Sequence, residues 1–180
     1  MTTNFLPKDY EVPVQSGNYF KLEKGDNVFR VLSSAIVGYE YWNNDNKPMR
    51  LERHPETLPA DARIEESGKV AIKHFWAFIV WNYKASKVQM MEITQATIQS
   101  AINNLVSDED WGDPKAYDIK ITRTGDKLET EYSVSPKPHS PIKPDIQSAF
   151  SNTPFSLNNL FVGEDVFDVK NSDGTATPTF

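Results

Sequence analysis

The amino-acid sequence predicts an all-β fold with one helix, in which five strands form a small barrel. Three observations favour this class: short apolar runs of strand length, a single segment with helical periodicity, and the position of that segment between the third and fourth runs. The chain has 180 residues, 38% hydrophobic and 12% aromatic, which suits one domain with a core. It has no cysteine, which excludes disulfides, thiolate zinc sites and cysteine nucleophiles.

The first predicted elements are an extended N-terminal arm and a long bent strand. Residues 1–26 contain two prolines and two glycines without helical periodicity, which favours an extended arm. Residues 27–42 read as one strand that bends near Ser33–Ser34 and at Gly38, because small residues inside a strand often mark a bulge. Residues 43–70 form a polar excursion with three prolines, and a connection of this length is commonly functional.

The other predicted elements follow at short intervals. Residues 74–83 read as the second strand, with apolar side chains on both faces, and residues 87–93 as the third. Residues 94–106 carry apolar side chains at the i, i+3, i+4, i+7 spacing of a helix with one buried face. Residues 117–124 alternate strictly between apolar and polar, and residues 128–135 pair back after a Gly-Asp turn.

This order of elements is that of an OB-fold, a five-stranded barrel with its helix between strands 3 and 4. A split β-sandwich or an SH3-like barrel could use similar strands, but neither would need a full helix at that point. We therefore expect an OB-fold domain at residues 27–136. Prolines then break regular structure, so residues 137–161 are expected to be a wrapping arm and residues 162–180 a flexible acidic tail.

The distribution of charged and apolar residues limits the classes of partner that the protein could bind. Residues 108–180 hold 7 basic and 13 acidic residues, which accounts for the whole formal net charge of −6. Because the acid is segregated, a low isoelectric point does not exclude a nucleic-acid-binding face elsewhere. No run approaches the roughly 18 apolar residues of a membrane helix. The N-terminus has no basic stretch followed by an apolar run, so a membrane partner and a secretory signal are not expected.

No catalytic constellation stands out, so we expect no enzyme activity, no metal site and no cofactor. His54, His74 and His139 are far apart in the sequence and lack metal-ligand spacing. The acidic run at residues 108–113 could be considered for a metal, but a solvated loop between helix and strand is the favoured interpretation. The phosphate-binding, dinucleotide-binding and nucleophile-elbow motifs are absent.

Aromatic residues crowd the second predicted strand on both of its faces. Strand alternation places Phe75, Trp81 and Tyr83 on one face, and Trp76 and Phe78 on the other. A small barrel buries only one face of a strand completely, so the second face needs a loop, a terminal arm, a partner or a ligand to cover it. We favour the first set for binding and the second for the core, although a one-residue error in register would exchange them.

Aromatic residues interleaved with Lys and Arg on an OB barrel favour single-stranded DNA as the partner. Bases stack on rings for about 1–3 kcal/mol each, while cationic side chains follow the phosphates, so little sequence preference is expected. The alternative is an OB-fold protein-interaction module whose exposed aromatics meet a protein. The candidate DNA-binding residues are Tyr39, Tyr41, Trp42, Lys47, Arg50, Arg53, Lys73, Phe75, Trp81, Tyr83, Lys84, Lys87 and Arg123.

Several blocks of the sequence, in order, resemble the single-stranded DNA-binding proteins of tailed bacteriophages. The resemblance runs from about residue 4 to residue 136 and implies an OB-fold. It also implies that the protein coats single-stranded DNA during phage replication and recombination in the host bacterial cytoplasm. The blocks that carry it are residues 4–7, 29–33, 38–42, 74–78, 92–95, 111–114 and 122–125.

The resemblance extends in outline to the acidic tail. Tails of this kind that end in Phe recruit replication proteins and compete with DNA for the basic groove in many single-stranded DNA-binding proteins. The candidate residues for contacts with phage or host replication and recombination proteins are Glu164, Asp165, Asp168 and Phe180. This chain departs from the pattern because residues 171–179 contain only one acidic residue, so the negative charge is not next to the terminal Phe.

Overall fold

In the computed structural model, residues 17–169 are described, and within them seven strands form one antiparallel sheet. The sheet order is β3-β2-β4-β1-β6-β7, and β5 pairs with the other edge of β4. The strands are β1 (Gly25–Val31), β2 (Ile36–Trp42), β3 (Pro48–Leu51), β4 (Lys73–Asn82), β5 (Lys87–Ile93), β6 (Tyr117–Thr124) and β7 (Glu131–His139). The helices are α1 (Ala96–Ser107), α2 (Pro144–Ser151) and three 3₁₀ helices, Pro114–Ala116, Lys127–Glu129 and Leu157–Val162.

β1 and β2 are two halves of one long strand that a bulge interrupts. Both pair with the same edge of β4: Val31 is opposite Val80, and Ile36 is opposite Ala77. Between these two pairs the β1–β2 strand has four residues, 32–35, and β4 has two, 78–79. Extra residues on one strand of a pair form a bulge, which bends that strand. The Ser33 hydroxyl holds the bulge by accepting a hydrogen bond from the backbone N–H of Ile79, at 2.8 Å. The predicted bend near Ser33–Ser34 lies here.

The fold class is all-β, as predicted, but the sheet differs from the predicted barrel. It is open: within residues 17–169 no pairing of β5 with β7 closes a five-stranded barrel. β3 was not predicted, and it arises inside the polar excursion by pairing with β2. A second α-helix, the eight-residue α2, lies in the proline-rich region that was expected to be a wrapping arm. No described helix is long and apolar enough to cross a membrane.

Two apolar cores lie on opposite faces of the sheet. The first core joins one face of β1, β4, β5 and β6 to the buried side of α1, and includes Phe29, Phe78, Val80, Met91, Ile98, Ile102, Tyr117, Ile119 and Ile121. The second core lies between the other face of β4 and β5 and the residues after β7. It includes Phe75, Ala77, Ile79, Met90, Ile146, Phe150, Leu157, Leu160 and Val166. A sheet buried on both faces explains why β4 is apolar on both.

The segment after β7, residues 141–169, is named the C-terminal arm below. The predicted boundary between a wrapping arm at 137–161 and a flexible tail at 162–180 needs correction. β7 extends to His139, and Val166 is fully buried and accepts a hydrogen bond from the backbone N–H of Ser156, at 2.8 Å. Residues 162–169 therefore belong to the packed C-terminal arm and not to a flexible tail. The remaining tail, including Phe180, lies outside the described residues.

The described part of the predicted N-terminal arm, residues 17–24, runs along the free edge of β5. Tyr19 forms a parallel bridge with Met90, and the backbone N–H of Phe20 donates to the Met90 carbonyl at 2.8 Å. Phe20 also belongs to the first core. Residues 17–20 thus cover part of an edge strand that would otherwise present unpaired backbone groups. Residues 1–16 lie outside the described residues.

Candidate nucleic-acid interface

The face of β4 that the sequence favoured for DNA binding is covered by the C-terminal arm. Phe75 is fully buried, and its ring lies 6.1 Å from the ring of Phe161 in the arm. Trp81 and Tyr83 are half-buried against the same core. The prediction that Phe75 offers a ring to DNA is therefore wrong for this arrangement of the chain. The second strand did need a cover for its second face, as predicted, and the cover is the arm.

Tyr83 belongs to a buried polar network. Its hydroxyl donates to Asp118 Oδ1 at 2.8 Å, and burial, this hydrogen bond and the Asp118 charge raise the pKa of Tyr83 to about 12. The same carboxylate oxygen lies 2.6 Å from Nε of Arg30, whose side chain is only 2% exposed. Arg30 also donates to the Ser140 carbonyl and hydroxyl at 2.9 and 2.7 Å, so it ties β1 and β6 to the start of the arm.

Arg50 is held by carboxyl groups and is not available to a phosphate. Its Nη2 lies 2.7 Å from Glu92 Oε2, and its Nε lies 3.1 Å from Glu40 Oε2. Glu40 is 7% exposed. Burial, a hydrogen bond with Glu92 and the Glu92 charge raise the pKa of Glu40 to about 8, while Arg50 and Lys73 oppose the rise. Glu40 therefore holds a proton at neutral pH, and the charges of Arg50 and Glu92 balance.

The other predicted cations do not form one surface. Lys73 begins β4 and Lys84 lies in the turn after its end, so at about 3.3 Å per residue the strand separates them by about 30 Å. Lys84 pairs with Glu23 and lies three residues before Lys87, the first residue of β5. Arg123, on β6, donates to the Leu22 carbonyl at 3.1 Å. The thirteen candidate residues are thus distributed over at least three parts of the sheet.

An open face with a row of rings lies on the opposite side of β2 and β4. The ring row consists of His54, Tyr39, His74 and Trp76. The Tyr39 ring centroid lies 5.1 Å from that of His54 and 5.2 Å from that of His74, and Tyr39 and His74 are direct strand partners. Trp76 Nε1 donates to His74 Nε2 at 3.3 Å, which continues the row along β4.

The two ring nitrogens of His74 have different partners. Its Nδ1 lies 2.9 Å from the Gly38 carbonyl oxygen, which can only accept, and its Nε2 faces the Trp76 indole N–H, which can only donate. These partners match the tautomer of the neutral ring that carries its proton on Nδ1. Gly38 is needed at this place because a Cβ would lie 2.5 Å from the Leu51 carbonyl oxygen and 2.9 Å from the Phe75 ring.

The surface around the ring row is apolar and open. His54 and His74 are exposed, and Tyr39 and Trp76 are half-buried. Val37, the strand partner of Trp76, is 53% exposed, which is unusual for an apolar residue in the middle of a strand. The row thus occupies the part of β2 and β4 that extends past the first core. The C-terminal arm packs on the other face of these strands.

Three of the predicted residues lie on or beside this open region. Tyr39 is in the row, Arg53 is exposed next to His54, and Lys47 is exposed in the turn before β3. Trp42 lies three residues after Tyr39 and so on the other face of β2; it is 41% exposed, with the guanidinium of Arg63 lying 5.8 Å from its ring centroid. Tyr41, the remaining predicted residue of β2, is buried and donates its hydroxyl proton to Asp61 Oδ1 at 2.9 Å.

Sequence reasoning missed three members of the ring row. His54 and His74 were considered only as metal ligands, and Trp76 was assigned to the core. Pairing the two aromatic-rich strands in register could have found them. Tyr39 on β2 lies opposite His74 on β4, and Trp76 follows two residues later on the same face of β4. Trp76 does pack against the first core, as predicted, but it is only partly buried there and also belongs to the ring row.

The predicted tail residues that the structure describes lie in a turn tied to the arm. Glu164, Asp165 and Asp168 are exposed. Asp165 Oδ1 accepts from the backbone N–H of Phe167 at 2.8 Å, and the Asn159 side chain donates to the Asp165 carbonyl at 2.9 Å. These three carboxylates are thus presented on a fixed turn beside the second core.

The acidic loop after α1 uses its carboxylates for backbone contacts. Asp108 Oδ1 accepts from the backbone N–H of Asp110 at 2.8 Å, and Asp113 Oδ1 accepts from that of Lys115 at 2.9 Å. Among residues 17–169 no group of three or more His, Cys, Asp or Glu side chains could hold a metal ion. Comparison of the chain with protein-family models, curated proteins and solved structures finds no match.

Proposed function

We propose that the protein binds single-stranded DNA without sequence specificity, and that the ring row is its stacking surface. The observation that carries the proposal is the spacing of the row: neighbouring rings lie 5.1 and 5.2 Å apart on an open face. Bases present a flat π-face to such rings and gain about 1–3 kcal/mol each by stacking. The rings serve any base, so the affinity depends little on sequence.

The cations beside the row supply the phosphate contacts in this proposal. Lys47 and Arg53 lie on the connection between β2 and β4 and are exposed. Arg63, stacked on Trp42, lies in the same connection. Arg50 and Lys73 belong to the opposite face and take no part. A strand of DNA would therefore run over the hairpin connection and along the ring row.

The order of elements supports the finer assignment of the sheet as an OB-type fold. If β1 and β2 count as one strand, then β4, β5, α1, β6 and β7 follow in the OB order, with the helix between the third and fourth strands. In OB-folds the connection between the first two strands is one of the loops that contact oligonucleotides. That connection here carries β3, Arg53 and His54.

The proposal includes the biological setting that the sequence blocks suggest. The resemblance to tailed-phage single-stranded DNA-binding proteins supports a role in coating single-stranded DNA during phage replication and recombination, in the cytoplasm of a host bacterium. The exposed carboxylates Glu164, Asp165 and Asp168 support a contact with phage or host replication and recombination proteins. The proposed activity is binding without catalysis, and it needs no cofactor or metal.

The test is a titration of the intrinsic tryptophan fluorescence with oligo-dT, oligo-dA and duplex DNA. The proposal predicts quenching by both single strands and little by duplex, because Trp76 and Trp42 are accessible and paired bases are not. Tyr39→Ala should weaken binding of both strands about 5- to 150-fold, the equivalent of one stacked base. The control is Tyr19→Ala, which removes an exposed tyrosine away from the ring row. Equal affinities for the two variants would contradict the proposal.

A protein partner is the second candidate function, and one observation favours it. Val37 and Met49 are 53% and 37% exposed on the same region, and DNA gains little from aliphatic side chains. An interaction module of this kind would show no fluorescence change with any DNA. Any weak affinity of such a module for DNA would not depend on salt, because DNA binding is salt-dependent only where cationic side chains neutralise phosphates.

A further inference from the structure

A cavity opens at the end of the ring row. Its volume is about 310 Å³, and Trp76, the last ring of the row, forms one wall. The bulge between β1 and β2, the last turns of α1 and the 3₁₀ helix before β6 form the rest. The residues that line it are Val31, Ser33, Ser34, Ala35, Trp76, Phe78, Ile102, Val106, Asp113, Pro114 and Lys115.

The cavity has an apolar wall and a polar edge. Val31, Phe78 and Ile102 belong to the first core and give the wall its apolar character. Lys115 contributes an ammonium group that donates to the Ser34 hydroxyl at 3.4 Å, and its side chain is 27% exposed.

The other polar groups of the cavity are less available. The Ser33 hydroxyl is already used, because it donates to the Ser34 carbonyl and accepts from the Ile79 N–H. Asp113 lies 3.6 Å from the Lys115 ammonium and balances its charge. Ser34 and Lys115 are thus the groups that a ligand could reach.

We infer that this cavity takes one nucleobase of the strand that the ring row binds, an inference that rests on the proposed function. A base has two apolar faces and a polar edge, which match the wall and the Ser34–Lys115 edge. The volume is near the lower end of the range for ligand cavities, roughly 300–1,000 Å³, and suits a single heterocycle. An aliphatic side chain of a protein would match the apolar wall but would offer no acceptor to the Lys115 ammonium.

The chemistry of the edge predicts a base preference. The Lys115 ammonium can only donate, and a carbonyl oxygen is a stronger acceptor for it than a ring nitrogen. Thymine, cytosine and guanine carry a carbonyl oxygen, whereas adenine offers only ring nitrogens. The Ser34 hydroxyl can rotate to donate or accept and does not discriminate. A modest preference for oligo-dT over oligo-dA should therefore reside in this cavity, while the ring row remains indifferent to sequence.

The first test fills the cavity from its open side. Val106 lines the cavity and is exposed near the end of α1, so Val106→Phe places a ring where the base would lie. Ser100→Phe adds the same ring at an exposed position of α1 that does not line the cavity. We expect Val106→Phe to weaken oligo-dT binding about 5- to 150-fold, the range for loss of one stacked base, and Ser100→Phe to bind like the unaltered protein.

The second test uses the unaltered protein and does not depend on how a variant folds. Methyl groups of Val31, Ile102 and Val106 are followed by NMR during titration with oligo-dT. A base in the cavity shifts all three methyl signals through its ring current, whereas a base stacked only on the outer rings, His54 and Tyr39, does not. Shifts at all three residues, together with the loss in Val106→Phe, are the expected result.

Two outcomes would overturn the inference, and they are distinguishable. If oligo-dT binds and Tyr39→Ala weakens it, but the three methyl signals stay unmoved and Val106→Phe binds normally, the nucleobase cavity is wrong and the proposed function stands. If no single-stranded DNA binds the unaltered protein at any salt concentration, the proposed function fails and the inference fails with it.

Discussion

Glu40→Gln tests the buried carboxyl pair that supports the covered face. Glu40 lies under the C-terminal arm region with Arg50 and Glu92, and its Oε2 lies 3.1 Å from Arg50 Nε. The pKa of Glu40 rises from 4.5 to about 8, first because of burial and then because of Glu92. Glutamine has nearly the same shape as the protonated side chain and cannot lose a proton, so it removes the pH dependence and keeps the packing.

The magnitude follows from the two pKa values. Between pH 4.5 and about 8 the unfolded chain releases the Glu40 proton and the folded chain keeps it. The free energy of unfolding therefore falls as pH rises, by about 1.4 kcal/mol for each pH unit from this group. The stabilisation is complete below pH 4.5 and is lost by about pH 8. From pH 5 to pH 8 the loss is on the order of 4 kcal/mol.

The assay is urea unfolding of the natural protein and Glu40→Gln at pH 5, 6, 7, 8 and 9. The difference in unfolding free energy between them should be small at pH 5, grow steadily to pH 8 and then level. Glu52→Gln, at an exposed position beside β3, is the control and should follow the natural protein. If the curves of the natural protein and Glu40→Gln run parallel from pH 5 to pH 8, the protonated Glu40 of this account is wrong.

Three further predictions concern the framework of the site. Asp118→Asn should destabilise the fold by about 3 kcal/mol, because the buried Arg30 loses its carboxylate partner, and urea unfolding measures the loss. Gly38→Ala should lower the melting temperature, because the new Cβ would lie 2.5 Å from the Leu51 carbonyl oxygen and overpacking costs about 1–3 kcal/mol. An unchanged melting temperature would contradict this close approach. Phe150→Ala, in the second core, should cost about 3–5 kcal/mol, and a loss below 1 kcal/mol would show that the arm is not packed as described.

Much of the fold could be predicted because it depends on local patterns. The alternation of β6 and the helical spacing of α1 are properties of short segments, and both elements lie within two residues of the prediction. The N-terminus of α1 was predicted less well, since the helix begins at Ala96 and its cap residue, Gln95, makes no side-chain cap hydrogen bond. β3 could not be predicted, because four residues between prolines carry little pattern and become a strand only by pairing with β2.

The site was harder to predict because it depends on which face of β4 is covered. Both faces of this strand are apolar, so alternation separates Phe75 from Trp76 but does not say which side meets solvent. The answer comes from the C-terminal arm, whose apolar residues are spaced irregularly among prolines and gain meaning only when they pack on the sheet. Of the candidate residues, Tyr39 and Arg53 lie on the open region, and their contact with DNA stays a prediction, whereas Phe75 lies on the covered face.

The central claim, that single-stranded DNA stacks on the ring row while nearby cations meet its phosphates, is tested most directly by the salt dependence of oligo-dT affinity. The measurement compares the natural protein with Tyr39→Ala and Arg53→Gln. Tyr39→Ala should lower the affinity at every salt concentration without changing the log–log slope, because a ring carries no charge. Arg53→Gln should make the slope shallower by about 0.7, the value for one phosphate contact on a single strand. Slopes and affinities that are the same for all three proteins would contradict the account.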